Sequence, residues 1–125
     1  MNCSAQQSKY NLILNKIEKN HQLKLNSGKF MLETEREYSI RLDSLMKVVY
    51  NELKSTKRGK KYNIEIEQNK WNKQNKLKIE NIWKQTNKII EEIGFIPNDE
   101  KMFAYNKQYE LTRKRILELI NKLKK

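Results

Sequence analysis

This sequence predicts an all-α fold, an antiparallel helical bundle of three to four helices with long second, third and fourth members, and three observations carry the prediction. Apolar side chains recur every three to four residues along most of the chain. Only three Gly and one Pro interrupt 125 residues, so turns are scarce and long elements are favoured. The one stretch that alternates like a strand, Tyr62-Asn63-Ile64-Glu65-Ile66-Glu67, has no partner strand to satisfy its backbone and is therefore assigned to a helix. The length fits a single domain over 1–125, able to bury about two thirds of the surface its unfolded form exposes.

The first helix is expected over Ser8 to Lys24, with Tyr10, Ile13, Leu14, Ile17 and His21 on one face, and Asn26-Ser27-Gly28 breaks it. The second runs from Lys29 to Ser55, where Met31, Tyr38, Leu42, Leu45, Val49 and Leu53 keep an apolar stripe. A basic, Gly-containing loop, Lys57-Arg58-Gly59-Lys60-Lys61, follows. The third helix is expected from Tyr62 to Ile93, striped by Trp71, Ile79, Ile82, Thr86, Ile89 and Ile93, with Gly94 as its C-terminal cap. After the turn Phe95-Ile96-Pro97, Asn98 or Asp99 can accept the free amide hydrogens that open a last helix over 98–124, carried by Met102, Tyr105, Tyr109, Thr112, Ile116, Leu119 and Leu123. Short connections imply antiparallel neighbours.

Little in the chain is furnished for catalysis. His21 is the only histidine, and no nucleophilic set can be assembled around it from the sequence, so it is placed at the edge of an apolar face. Glu33, Glu35 and Glu37, then Glu65 and Glu67, are i,i+2 carboxylates that point to different sides of a helix and are assigned to solvated faces. No Cys/His spacing or Asp-rich loop suits a metal, and single glycines cradle no phosphate, so neither metal nor cofactor is expected. Cys3, the only cysteine, excludes an internal disulfide. It is a frayed terminal thiol, an intermolecular partner, or a lipid-modified first residue of a processed chain to which Met1 was added. No run reaches the roughly 18 apolar residues of a membrane span.

Net charge is +12, which creates a field that draws anionic partners. Lys and Glu interleave along the helices, so much of this charge belongs to solvated faces. Lys70, Lys73, Lys76 and Lys78 around Trp71 could suit a single-stranded nucleic acid, although Trp71 shares a stripe with Ile79 and Ile82 and is better read as buried. Arg113-Lys114-Arg115 could bind phosphate in the same way, with Glu110 and Glu118 close by.

Asp43-x-x-Met46-Lys47-x-x-Tyr50, followed by Gln68-x-x-Trp71, resembles the pattern Asp-x-x-Leu-Asn-x-x-Tyr and Gln-x-x-Trp-x-x-x-Arg of the lysozyme inhibitor LprI-like family of bacterial envelope proteins. The likeness covers about residues 30–80, and the last helix is additional. Lys47 replaces the family's Asn, Asn75 its Arg, and the two clamping cysteines are absent, their places falling near Glu33 and Ile79. Missing a disulfide worth about 2–4 kcal/mol is tolerable if packing compensates. The resemblance implies structural roles for Asp43, Met46, Tyr50, Gln68 and Trp71, with Tyr50 and Trp71 packed between helices and Asp43 and Gln68 hydrogen-bonded to backbone or a partner side chain. It implies a periplasmic or cell-surface protein that binds a lysozyme or another cell-wall hydrolase.

Three functional classes follow. The first is a non-enzymatic extracytoplasmic binding protein, in which Lys57, Arg58, Lys60 and Lys61 enter the hydrolase cleft and bond to its paired carboxylates. The second is a cytoplasmic nucleic-acid-binding protein. The third is an oligomerising helical protein whose third and fourth stripes continue into another subunit.

Overall fold

The computed structural model describes residues 3–123; Met1 and the Cys3 thiol, on which the processing expectations turn, lie outside the described residues. Its elements are α1 (Cys3–Asn26), α2 (Met31–Lys54), α3 (Lys57–Lys61), α4 (Ile64–Asn87), α5 (Ile89–Ile93) and α6 (Asn98–Lys122). The architecture is an all-α bundle of four long helices, each about 36 Å in length, supplemented by the two short elements.

The helices form where the apolar period is regular. Tyr10 and Leu14 of α1 are buried, with Ile13 and Ile17 packed against them. Leu42, Leu45, Val49 and Leu53 of α2 meet Ile116, Leu119 and Leu123 of α6 in the same cluster, whereas Met31 is left exposed. Gly28 (φ +70°) makes the α1–α2 turn and Gly94 (φ +83°) caps α5, both in the left-handed region that glycine enters without a Cβ penalty.

Neighbours along the chain run antiparallel. His21 of α1 faces Glu35 of α2, while Gln6 and Tyr10 face Glu52. The central contact is between α2 and α6, which run in the same direction. Glu35 and Ser39 bond Tyr109 and Gln108, and further along both helices Asp43 bonds Thr112. A parallel α2–α6 pair is what the two reversals of direction between them, into α4 and out of it, require. Helices α1 and α4 pack along this pair.

Three expectations need correction. The third helix is interrupted at Lys88, so α4 and α5 replace one continuous element, and Ile93 lies exposed. Only Ile64 and Gln68 of α4 are buried, because its C-terminal half runs beside α6 at the bundle's edge. The basic loop is a helical turn: the Thr56 hydroxyl accepts the Gly59 amide at 3.0 Å, and Gly59 packs onto the Leu53 carbonyl, where a Cβ would sit 2.0 Å from the oxygen. At the start of α6, Pro97 occupies the cap position and no side chain caps, so neither Asn98 nor Asp99 has the expected role.

Candidate functional site

Four of the five motif residues, Asp43, Met46, Gln68 and Trp71, lie where α2, α4 and α6 converge. Gln68 is buried, its amide nitrogen lying 3.9 Å from the Met46 sulfur and 3.1 Å from the Asn72 oxygen. Its carbonyl oxygen accepts from Arg115 Nε at 2.8 Å. Arg115, 3% exposed, also donates to Glu67 (3.0 Å) and Glu118 (2.9 Å) and lies over the Trp71 ring at 5.8 Å. Asp43 accepts from the Thr112 hydroxyl. Burial pushes its carboxyl above the usual aspartate range, against that bond and the charge of Lys47. Tyr50 and Trp71 pack half-buried against the core.

Arg115 is therefore no surface phosphate ligand, and Arg113 is committed to Glu18 at 2.6 Å, which corrects the reading of Arg113-Lys114-Arg115. Glu67 receives both Arg115 and Lys122 (3.2 Å). Burial pushes its carboxyl up, but these two bonds outweigh burial and hold it below the ordinary glutamate range. Position 67 is thus an ionic tie between α4 and α6 and not a purely solvated face.

This junction supports the end of the bundle that carries α3. Lys57, Lys60 and Lys61 are exposed, and none pairs with a carboxylate among the described residues. Lys60 lines a cavity of about 300 Å³ with Lys54, Gly59, Asn63, Ile64, Glu65 and Ile66. Arg58 departs from the expectation: it is half-buried, with Nη1 enclosed and unpartnered, and is not free to project. Lys122 Nζ stands 4.9 Å from the Tyr62 ring beside this turn. The four expected binding residues thus form one end surface, led by three lysines. Along α4 and at the break that follows it, Lys70, Lys73, Lys84 and Lys88 share the outer face with exposed Ile66 and Leu77, and none of these lysines has a carboxylate partner among the described residues.

A second polar cluster, at the opposite end, escaped the sequence reading. Glu35, 4% exposed, contacts His21 Nε2 at 2.5 Å and accepts from Tyr109 at 3.0 Å. His21 stacks on Tyr38 with ring centroids 3.8 Å apart, and Tyr109 meets both rings edge-on. Desolvation pushes the Tyr38 hydroxyl up to about 12 and the Tyr109 hydroxyl further in the same direction, so both stay protonated, and Tyr109 donates to Glu35. Glu35 belongs to the interior and not to a solvated face. The signal was positional. His21 and Glu35 each lie seven residues from Gly28 and each continues an apolar stripe, so folding the chain at Gly28 brings them together.

Among the described residues no group of three His, Cys, Asp or Glu is placed to hold a metal, and no helix is long and apolar enough to cross a membrane. The site therefore defines a helical bundle with a cationic end and a buried carboxylate near the other. No family model, curated protein or solved structure matches the chain.

Proposed function

We propose that this chain is a non-enzymatic extracytoplasmic binding protein of the LprI-like kind, whose α3 end meets the acidic cleft of a cell-wall hydrolase. The observation that carries the reading is the junction of Asp43, Met46, Gln68 and Trp71 with α6, which fastens α2 and α4 on either side of a cationic turn. Packing and Arg115 do here what the family's cysteine clamp does elsewhere. Lys57, Lys60 and Lys61, free of internal carboxylates, are the groups offered to a partner's carboxylate pair, where charge-assisted bonds are strong once water is excluded. Long-range repulsion opposes the approach of a basic partner, so affinity must come from close contacts at this end. The test is lysozyme hydrolysis with and without the chain. Inhibition at tens of micromolar, weakened about tenfold or more when Lys57, Lys60 and Lys61 are changed to Glu, supports the reading. Unchanged hydrolysis with the intact chain overturns it.

A second reading rests on a different observation, the unpaired lysines along the outer face of α4. Lying on one helical face, they suit the phosphate backbone of a nucleic acid. Binding to mixed single-stranded DNA that weakens steeply with salt, and weakens further on changing Lys73 and Lys84 to Glu, would favour it. Salt-insensitive or undetectable binding removes it.

A further inference from the structure

At the end of the bundle opposite α3, a cavity of about 320 Å³ lies between α2 and α6, lined by Glu35, Asp99, Met102, Phe103 and Asn106. The polar side chains in this lining are two carboxylates and one amide. Glu35 is buried with His21 on Oε1 and the Tyr109 hydroxyl on Oε2, and each carboxylate oxygen keeps a further lone pair. Asn106 spends one of its two amide N–H groups on Tyr109 Oη at 2.8 Å, and its carbonyl oxygen has no donor among the described residues. Asp99 is exposed in the first turn of α6. No Lys or Arg pairs with Glu35 or Asp99 among the described residues. Met102 and Phe103 supply an apolar wall, Phe103 being 62% exposed at the mouth.

A group that is all donor, positively charged and carried on an apolar tail matches this lining, and an ammonium is such a group: three N–H donors and no acceptor. We propose that the cavity binds a primary organic ammonium, its head between Glu35, Asp99 and the Asn106 oxygen and its tail along Met102 and Phe103. The volume lies at the small end of ligand sites, enough for a short alkyl amine or one lysine side chain. The face of Phe103 adds a cation–π contribution. The site is independent of the α3 surface, which lies at the other end of the bundle.

Titration of the isotope-labelled chain with hexylammonium, followed through backbone amide resonances, tests the proposal, with hexanol as the uncharged control. Saturable shifts centred on Glu35, Met102, Phe103 and Asn106 are expected, with hexanol about tenfold weaker or more. Asp99→Asn and Phe103→Ala alter exposed side chains, so the fold should persist while hexylammonium affinity falls roughly five- to tenfold. A lysine blocked at both backbone termini separates the two sources of the same chemistry. Tighter binding than hexylammonium assigns the site to a protein's lysine, and weaker binding assigns it to a free amine. Equal shifts with hexanol, no shifts at these residues, or an Asp99→Asn variant with unchanged affinity would overturn the proposal.

Discussion

Replacing Arg115 by methionine, and separately by alanine, asks whether the α2–α4–α6 junction depends on the charge of this side chain or on its volume. Arg115 is 3% exposed, and three of its bonds reach Gln68, Glu67 and Glu118. The two carboxylates are partly open to water, with side chains 38% and 56% exposed, so they rehydrate at little cost once the guanidinium is gone. Gln68 is different, because its buried oxygen loses its partner at a cost of about 1–3 kcal/mol. Against this, Arg115 Nη2 is itself buried without a partner, and removing it recovers a comparable amount. Methionine keeps most of the stem's volume, so Arg115→Met should lie within about 1 kcal/mol of the parent. Alanine leaves the same orphaned oxygen and a cavity beside Trp71, so Arg115→Ala should cost about 3–5 kcal/mol. For a chain of this size that difference lowers Tm by roughly 10–15 °C. Urea denaturation of the three proteins decides the matter. Equal losses in both variants would refute the reasoning and make the ion pairs the junction's anchor. Glu67 gives a second readout, since without Arg115 its carboxyl should titrate closer to the ordinary range.

Gly59→Ala forces a Cβ to within 2.0 Å of the Leu53 carbonyl oxygen, so α3 must move and stability should fall by at least about 2 kcal/mol, measured by thermal melting. His21→Ala removes the stack on Tyr38 and leaves Glu35 with Tyr109 alone; a loss of about 3 kcal/mol is expected in urea, part of it restored by His21→Gln, which keeps a donor for the carboxylate. Asp43, whose folded carboxyl is raised by burial, holds its proton more tightly folded than unfolded. Its contribution is therefore complete below the ordinary aspartate range and is lost as pH rises through the raised folded value. Asp43→Asn should be the more stable protein at neutral pH and converge with the parent in acid, as stability curves against pH will show; a constant gap at all pH values refutes this. Gly94→Ala meets no neighbour but keeps φ +83°, so it should cost only about 1 kcal/mol.

How far the sequence could be read depended on which physical signal each residue gives. Stripes such as Leu42, Leu45, Val49 and Leu53 set the helices of the core, because burial of a periodic apolar face dominates local preference. Helix ends were less legible. The turn at Lys57–Lys61 looked like a loop by composition, yet one threonine hydroxyl and one glycine contact with a carbonyl make it helical. The break at Lys88 has no Gly or Pro to announce it. Polar residues on apolar stripes were the hardest. Glu35, Gln68 and Arg115 sit at positions where the periodicity calls for apolar side chains, and their partners come from other helices. Carboxylate spacing within one helix cannot reveal a histidine on another.

The two ends of the bundle nevertheless follow from one constraint. A basic chain can bury a carboxylate only with its hydrogen bonds satisfied, and the Gly28 turn supplies His21 while α6 supplies Tyr109. At the other end, the cations of α3 have no internal carboxylates and remain in water. Under the proposed function their charge is offered to an outside partner, while Asp43, raised by burial in the junction between, occupies a position where Asn is expected to be more stable at neutral pH. A residue that costs stability at neutral pH is informative about selection on something other than folding. If Asp43→Asn both stabilises the chain and weakens hydrolase inhibition, the junction orients α3 for its partner, and if inhibition is unchanged, Asp43 has no part in that contact.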